Sequence, residues 1–532
     1  MKVLAVIPAR AGSKGIPNKN LRLINNHPLI YYAINNAKSS KYITDIVVST
    51  DSPVVEAIAI QMGVNVRLRR PELSGDSVTL DAVIYDAAKN YTADYVISMQ
   101  PTSPTLTPQT LDNAIEYALR HDTDTLISAI NKPHLAWLKD GDRKLPAYRE
   151  RLNRQYLPPY YMETGAFFIS KGSVVTPFSR FGAKCDIYEI PENEAIDIDT
   201  FGDLKYAEAV LEKKRTAIYV NGNTLRGMGH IYRALELADE FYSKPDIYYD
   251  INQTDRKLFG STTHTLIPVN GIDELLSIVE KEQYDLFIND ILSTSIEYMT
   301  SLRNAIPNAK IINFEDDGEG IYKADLVINA LFHEAYVPHM MSGEQYYISP
   351  KLYMFYEPVK IKERVKKVFI SFGGSDPQNY SERLLNIISD REYNDISFTV
   401  VLGLAKENAE RLMNFNDYPN IEVLFNVKNM PHIMAECDMA ITSRGRTCYE
   451  LAILGIPAIA MAQNHREEKH GFVCSDNGFT YLGLNPADET IKANLDMYIH
   501  MGRAERLRFQ SLLLSHDLKN GRRKVMNLIN NL

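Results

Sequence analysis

The first loop of the chain gathers positive charge and glycines directly after an apolar run. Residues 3–7 are apolar, and the sequence that follows reads PARAGSKGIPNKN. A polyphosphate needs backbone N–H donors at close range, which glycines permit, and it needs fixed cations. The loop predicts a cradle for a nucleoside triphosphate, although the spacing is not that of a Walker P-loop and a solvated basic loop is the alternative. The candidate residues are Arg10, Gly12, Ser13, Lys14, Gly15, Lys19 and Asn20.

A pair of aspartates in EAIDIDTFGDL has the spacing of a divalent-cation site. On a strand, alternate side chains face opposite sides, so Asp197 and Asp199 share one face while Ile196 and Ile198 face the core. Two adjacent carboxylates repel each other unless a cation lies between them. Mg²⁺ prefers oxygen ligands and substrate phosphates, so the pair predicts a Mg²⁺ site. Two solvated aspartates before a helix are the alternative.

Two further glycine-containing loops lie in the second half of the chain. In RGMGHIYRALELADEF, Gly229 and His230 stand at the start of an amphipathic helix. The helix dipole disfavours a charged histidine there, so His230 could act as a base, and a capping or packing role is the alternative. In VFISFGGSDPQN a strand ends at a loop suited to diphosphate contacts. The residues of that loop are Gly373, Gly374 and Ser375.

Length and composition indicate a protein of several domains. At 532 residues the chain is too long for one core, and 45% apolar with 23% charged residues is ordinary for a soluble globular protein. The formal net charge of −9 argues against a general nucleic-acid or membrane-surface binder. The four cysteines show no C-x-x-C spacing, so we expect reduced thiols in a cytoplasm. Apolar stretches are too short for a signal segment or a membrane span.

Alternating strands and helices position the candidate residues of the first half. This βαβ alternation predicts an α/β fold with a parallel sheet covered on both faces. Ligands of such sheets bind beyond the carboxyl ends of strands, where the first loop lies and where Gln100 ends the strand of ISMQPTSP. The predicted strands are 3–7, 45–49, 95–99 and 126–129, and the helical patterns lie at 28–38, 52–62 and 79–90.

A seam near Arg215 divides the chain, because a helix rich in Glu and Lys ends there and a new apolar strand begins. Another strand follows the charged KIKERVKK and starts a further half. We therefore predict a first domain at 1–213 and a two-lobed domain at 216–532, with lobes at about 216–360 and 365–532.

The segment 131–162 breaks the alternation. It carries Trp137, prolines and arginines, and it has no clear period. It is interpreted either as an arm that crosses to a partner subunit or as an ordinary surface excursion.

Five blocks of the first half occur together and in order: IPARAGSKGIPNKN, RRPELSGDSVT, MQPTSP, METGAFFI and IDIDTFGDL. In this order they resemble the CMP-sialic acid synthetases (acylneuraminate cytidylyltransferases) over residues 1 to about 210. The resemblance implies a Rossmann-like nucleotidyltransferase domain. It also implies an enzyme in which the C2 hydroxyl of N-acetylneuraminic acid, or of a close nonulosonic acid, attacks the α-phosphorus of CTP and pyrophosphate leaves.

The same resemblance implies roles for the loop and the aspartate pair. Arg10, Lys14 and Lys19 would bind the phosphates, with Lys14 counted among the catalytic residues. Asp197 and Asp199 would hold Mg²⁺, and one of them would help to take the hydroxyl proton.

Other positions follow from the remaining blocks. Arg70 would face the cytosine or ribose, Thr79 would lie near the nucleotide and Gln100 would face the sugar. METGAFFI has Thr164-Gly165 and Phe168 where the family often has Asn-Gly and a tyrosine, which leaves the sugar's side-chain specificity open. RLNRQYLPPYY resembles the family's basic arm, so Arg154 would reach a partner's site and a homodimer or higher homo-oligomer is expected.

Three blocks of the second half resemble the UDP-sugar hydrolase of pseudaminic acid biosynthesis over about 216 to 480. They are the His230 helix, the glycine loop at 373–375 and AITSRGRTCYELAILGIPAIAMA. The resemblance implies a two-lobed glycosyltransferase-B fold in which His230 activates water and Glu450 holds the uridine ribose. Asn289-Asp290-Ile291 and the arginines Arg444 and Arg446 depart from the family's pattern.

Alternatives remain open for both halves. The first half could activate legionaminic or pseudaminic acid instead. The second half could be a glycosyltransferase or a non-catalytic binding or oligomerisation module. Either way the sequence predicts a cytoplasmic enzyme of surface-polysaccharide biosynthesis with CTP, Mg²⁺ and a nonulosonic acid, and with a UDP-sugar as a further candidate ligand.

Overall fold

The protein is described from a computed structural model that covers residues 1–12, 15–75, 77–222, 228–331 and 336–532. The predicted loop residues Ser13 and Lys14 lie outside the described residues. The chain divides into two compact units, Met1–Lys213 and Lys214–Leu532. Among the described residues, no helix combines the length and the apolar character needed to cross a bilayer.

A mixed seven-stranded sheet forms the core of the first unit. The strands of this unit are β1 Val3–Pro8, β2 Leu23–Ile24, β3 His27–Pro28, β4 Asp45–Thr50, β5 Asn65–Leu68, β6 Tyr95–Met99, β7 Thr125–Asn131, β8 Trp137–Asp140, β9 Arg143–Pro146, β10 Tyr161–Lys171 and β11 Cys185–Glu189. The pairs β2–β3 and β8–β9 form two short hairpins outside the sheet. The sheet order is β5-β4-β1-β6-β10-β7-β11. The central strand β1 is buried along its whole length, as its apolar sequence predicts.

One strand departs from the predicted parallel sheet. β10 runs antiparallel to both β6 and β7, while the other neighbouring pairs are parallel. The chain reaches β10 from β7 without a crossover helix, and parallel pairing of successive strands normally needs such a crossover. The expectation of a parallel sheet is therefore wrong at this strand.

Helices cover the sheet of the first unit at the predicted positions. They are α1 Leu29–Ser39, α2 Pro53–Gln61, α3 Leu80–Ala88, α4 Pro108–His121 and α5 Phe201–Leu211. Each of α2 to α5 begins at a Ser or Thr whose side chain accepts a backbone N–H of the first turn. At α5 the cap is reciprocal, because Thr200 accepts from Asp203 N–H and the Asp203 carboxylate accepts from Thr200 N–H.

The interrupting segment 131–162 carries an exposed hairpin, which is compatible with both a partner-crossing arm and a surface excursion. It contains the β8–β9 hairpin, all of whose residues are exposed. A short 3₁₀ turn at Arg154–Tyr156 follows, and Arg154 is exposed.

The second unit contains two parallel sheets, which confirms the two-lobed prediction. Counted within each lobe, both orders begin 3-2-1-4-5-6, the order of a Rossmann fold. The first sheet comprises β12 Thr216–Val220, β13 Asp246–Asp250, β14 Leu266–Val269, β15 Leu286–Asp290, β16 Lys310–Phe314, β17 Leu326–Asn329 and β18 Met340–Ser342. The second comprises β19 Lys367–Ser371, β20 Ser397–Leu402, β21 Ile421–Phe425, β22 Met439–Ser443, β23 Ala458–Ala462 and β24 Phe479–Leu484.

The last helix of the chain corrects the predicted lobe boundaries. The helices of this unit are α6 Gly229–Ala238, α7 Ile272–Glu282, α8 Ile296–Ala305, α9 Tyr380–Ile388, α10 Ala409–Leu412, α11 Met430–Ala435, α12 Thr447–Leu454, α13 Asp488–His500, α14 Arg503–Leu513 and α15 Gly521–Asn530. Although α15 follows the second lobe, its Val525 and Ile529 are buried in the core of the first lobe. Arg522 fastens it there by donating to Glu240 at 2.9 Å and to the Glu236 carboxylate.

The capping box of α5 should stabilise the helix that follows Asp199. We expect Thr200→Ala to weaken α5 by about 1 kcal/mol, because an N-terminal amide loses its acceptor. Hydrogen exchange followed by mass spectrometry should then show about fivefold faster exchange in peptides from Phe201–Leu211. Thr200→Ser, which keeps the hydroxyl, should exchange like the wild type; equal exchange in all three proteins would contradict the stabilising role of the cap.

Candidate functional site

The first loop is fastened at the carboxyl end of β1. Ala9 N–H donates to Ser49 O at 2.9 Å, and Ala11 N–H donates to the Asp51 carboxylate at 2.7 Å. The Asn20 amide closes the loop by donating to Arg10 O at 3.0 Å. The predicted ligand residue Asn20 therefore serves first to shape the loop, while Gly12 is exposed with open space beside it.

The aspartate pair lies on an irregular segment. Residues 195–199 form no sheet pairing, so the predicted strand is wrong. The alternation nevertheless holds, because Ile196 and Ile198 are buried while both aspartates are exposed. The segment is anchored by the turn after β6, since Ile198 N–H donates to Thr102 O at 2.9 Å. The burial of its two isoleucines, rather than pairing with a neighbouring strand, keeps the segment in place.

The first loop and the acidic segment meet. Ile16 packs with Ile196 and Ile198 in one buried cluster. Above it, the Lys19 ammonium donates to Ile198 O at 2.7 Å and pairs with Asp199 at 3.0 Å. A Cβ at Gly15 would lie 2.6 Å from Asp199 O, so this approach requires glycine. The structure thus brings together the basic and acidic halves of the predicted site.

Asp197 is electrostatically distinct from its neighbour. Desolvation and the charge of Asp199 raise the pKa of Asp197, and a hydrogen bond from Thr102 opposes that shift. Among the described residues there is no group of three or more His, Cys, Asp or Glu side chains that could hold a metal. Two carboxylates on one side of a segment, beside a predicted phosphate site, fit Mg²⁺, which usually takes one or two carboxylates plus substrate phosphates.

Gln100 lies at this edge, but Thr164 faces away from it. Gln100 follows the last residue of β6, is half-buried and donates its backbone N–H to Ala166 O at 3.4 Å. A Cβ at Gly165 would lie 3.4 Å from Asp197 Oδ2, so β10 runs beside the acidic segment. The Thr164 hydroxyl is buried and donates to Ser128 Oγ at 2.8 Å. Its block METGAFFI makes Thr164 a candidate substrate-binding residue; its hydroxyl is engaged with Ser128, and the substrate-binding role stays a prediction.

The two adjacent arginines of RRPELSGDSVT separate. The Arg69 guanidinium donates to Ser49 Oγ and O at 3.1 Å. Burial lowers the pKa of Arg69; Asp51 opposes the shift and Arg10 adds to it, which places this cation beside the first loop. Arg70 is largely exposed and lies 3.8 Å from Asp86 instead. Sequence reasoning named Arg70 and not Arg69. The alternation of side chains along β5 does not extend into the loop that follows, so it could not show which of the two arginines turns towards Ser49.

Thr79 and Arg154 have structural surroundings of their own. The Thr79 hydroxyl accepts Ala82 N–H at 3.4 Å and caps α3. Arg154 lies on the exposed turn after the β8–β9 hairpin. The predicted roles of both residues stay predictions.

A second constellation lies in the second unit around His230. His230 is buried at the start of α6, and its Nδ1 contacts the Asp290 carboxylate at the end of β15. Arg233, one turn further along α6, donates from Nε to Asp290 at 2.7 Å. Desolvation would raise the pKa of Asp290, but the charges of Arg233 and His230 outweigh it, so this pKa is lowered. The pair fits a histidine base oriented by a carboxylate.

Loops of the second lobe reach this histidine. A Cβ at Gly374 would lie 2.8 Å from the Met228 side chain, directly before α6. Gly373 has φ of +74°, and a Cβ there would lie 3.9 Å from Ser443 Oγ. The predicted diphosphate loop, which includes the half-buried Ser375, therefore lies beside the loop before α12 and the start of α6.

Glu450 lies on α12, as predicted, among tyrosines. Desolvation raises its pKa to about 7, and a hydrogen bond with Tyr353 opposes the shift. Desolvation, and in addition the nearby Glu450 charge, raises the pKa of the Tyr232 hydroxyl on α6. The ribose-binding role of Glu450 stays a prediction.

Glu315, which follows β16, lies 2.6 Å from Arg233 and so belongs to the second constellation. Sequence reasoning did not assign Asp290, Arg233 or Glu315 to it. Asp290 was visible as a departure from the pattern of the related hydrolase. The available signal for the two acids was their place at or just after the ends of neighbouring strands.

Residues 4–224 match the family described as Cytidylyltransferase. The N-acylneuraminate cytidylyltransferase of Streptococcus agalactiae serotype V is 32% identical over 243 residues, which cover 42% of this chain. The chain spans only 58% of the length of that relative.

Solved structures also resemble each half. A CMP:2-keto-3-deoxy-manno-octonic acid synthetase complexed with CTP has 18% identity and a TM-score of 0.32, covering 40% of this chain and 98% of its own. MurG of Acinetobacter baumannii has 13% identity and a TM-score of 0.44, covering 60% of this chain and 100% of its own.

Proposed function

We propose that the first unit, nearly all of which lies within the match of residues 4–224 to the cytidylyltransferase family, transfers CMP from CTP to the C2 hydroxyl of N-acetylneuraminic acid or a close nonulosonic acid. The observation that carries the proposal is the ion pair and backbone contact between Lys19 and the acidic segment. That contact joins a cationic loop to two exposed carboxylates in one place. Legionaminic and pseudaminic acid are the alternative substrates.

The chemistry follows from this arrangement. The sugar oxygen forms a bond to the α-phosphorus, the bond to the β-phosphate breaks, and pyrophosphate leaves. Such transfers depend mainly on alignment and charge neutralisation. Arg10 and Lys19, with Arg69 beside them, bind the phosphates. One carboxylate of the pair, Asp197 or Asp199, helps to take the hydroxyl proton.

A divalent ion completes this proposal. Asp197 and Asp199 are the residues that would hold Mg²⁺, and the bound ion would supply positive charge next to the phosphates. Lys19 already neutralises Asp199 at 3.0 Å, which limits the repulsion within the pair.

We also propose that the protein acts in the cytoplasm as a homo-oligomer in which the 131–162 segment contacts the partner.

We propose a second activity, hydrolysis of a UDP-sugar, for the second unit. The buried contact of His230 with Asp290 favours it, because a carboxylate at Nδ1 fixes the tautomer that leaves Nε2 as the base. His230 would take a proton from the water that attacks the anomeric carbon, and UDP would leave with the bonding electrons. A glycosyltransferase, or a module that binds without catalysis, is the alternative.

The metal assignment predicts the behaviour of one carboxylate variant. With CTP, Mg²⁺ and each of the three nonulosonic acids, Asp199→Asn should lose at least ~100-fold in pyrophosphate release, since a charged ligand is removed. Chelation of divalent ions should abolish release by the wild type. Glu208→Gln, an acid on α5 paired with Lys205, is the control and should keep its activity. Near-normal turnover by Asp199→Asn would remove the metal assignment, and no release with any acid would reject the proposed reaction.

The close approach at Gly15 predicts a steric effect on the same assay. Gly15→Ala would place a methyl group against Asp199 O, so the loop and the acidic segment must separate. We expect kcat/KM for CTP to fall by ~10-fold or more. Gly75→Ala is the control, because its added Cβ would make an ordinary contact at 3.8 Å with Val78. Equal activity of both variants would show that the approach is dispensable.

The hydrolase proposal predicts a selective effect at His230. UDP release from UDP-2,4-diacetamido sugars and UDP-N-acetylglucosamine should fall by ~10²-fold or more in His230→Asn, because the general base is lost. The control is His264→Asn, which removes another histidine paired with an aspartate, Asp239, at 2.9 Å. Absence of UDP release by the wild type would reject hydrolysis, and equal rates in His230→Asn would reject the base.

A further inference from the structure

Four charged side chains form a buried chain of ion pairs inside the second unit. Arg233 donates to Asp290 at 2.7 Å and lies 2.6 Å from Glu315, the residue that follows β16. Arg446, at the start of α12 in the second lobe, lies 3.2 Å from the same Glu315 oxygen. The Glu315 backbone oxygen also accepts a hydrogen bond from Arg466. This series of ion pairs thus links Arg446 of the second lobe to Asp290, whose carboxylate contacts His230.

Arg446 occupies the space beside the proposed base. Its Nη1 donates to Gly229 O at 2.6 Å, one residue before His230. A Cβ at Gly229 would lie 3.2 Å from the Arg446 side chain, which would have to shift slightly to admit it. Ser443, the last residue of β22 and three residues before Arg446, lies next to the glycine turn at Gly373.

The two arginines on Glu315 differ in how freely they can leave it. The Arg233 side chain is 3% exposed and is also bound to Asp290, whereas the Arg446 side chain is 19% exposed. A buried carboxylate stripped of every partner is strongly destabilising. Glu315 would keep Arg233 if Arg446 left, so Arg446 can change partners at little cost. Its planar guanidinium suits two-point contact with a phosphate.

We propose that Arg446 changes partner from Glu315 to the phosphates of a nucleoside diphosphate bound on the loops of the second lobe. This inference rests on the proposed function of the second unit, and it names the ligand group that Arg446 recognises. When the Arg446 guanidinium moves to the phosphates, it stays beside His230 and stabilises the negative charge of a leaving diphosphate. Arg446 then acts as a ligand-binding residue. If its role were only to join the lobes, it would not distinguish ligands with phosphates from those without.

The test measures binding of UDP and of uridine to the full chain by titration calorimetry. Arg446→Ala should weaken UDP binding by at least tenfold and change uridine binding by less than twofold. Arg446→Lys keeps the charge without the two-point contact and should weaken UDP binding by three- to fivefold. Arg411→Ala is the control for lost charge, because Arg411 is 62% exposed and pairs with Glu382 on the surface. It should bind UDP as the wild type does.

Each outcome decides the proposal. Arg446→Lys carries the test if circular dichroism shows that Arg446→Ala does not fold. Unchanged UDP affinity in the folded variants, or equal weakening for UDP and uridine, would overturn the role of Arg446 and leave the hydrolase proposal standing. A wild-type protein that binds neither UDP nor UDP-sugars would overturn both.

Discussion

The first unit depends on the burial of two isoleucines in a segment that no strand supports. Ile196 and Ile198 pack against Ile16 of the first loop, and in an extended chain their burial forces the intervening carboxylates outward. Each buried aliphatic side chain of this size contributes ~1.5–3 kcal/mol. That contribution is large enough to hold two like charges side by side, and it places them against the loop that carries the cations. In addition to this apolar contact, Lys19 forms an ion pair with Asp199.

The second unit handles charge in the opposite way. Arg233, Asp290 and Glu315 are almost entirely buried, and each has an opposite charge as its partner. A buried ion pair adds little net stability, but losing one partner is costly. The arrangement therefore contributes little net free energy to folding, and its main effect is to fix the position of His230. In the first unit the carboxylates of Asp197 and Asp199 are exposed, and Lys19 pairs with Asp199 at 3.0 Å.

The sequence predicted the parts of the fold that follow from local periodicity. The strands β1, β4, β6 and β7 and the helices between them occur where apolar runs and helical spacing indicate, because burial on a sheet leaves a strong period. The antiparallel β10 and the packing of α15 on the first lobe depend on long-range contacts, which leave no local period. The unpaired segment at 195–199 has the alternation of a strand, and alternation alone does not show whether a neighbour is present.

The same distinction explains which site residues could be found. The chemistry of Lys19 and the aspartate pair is unusual at those positions, and the structure brings Lys19 and Asp199 together, whereas Thr164 is a candidate only by its place in a motif. Its hydroxyl instead satisfies Ser128 beneath the sheet, where a buried polar group needs a partner. Arg69 lies one residue from the predicted arginine, and the turn after β5 directs Arg69 to Ser49 while Arg70 stays largely exposed. Motif reasoning therefore locates a block, but burial and hydrogen bonding decide which of its side chains remains free for a ligand.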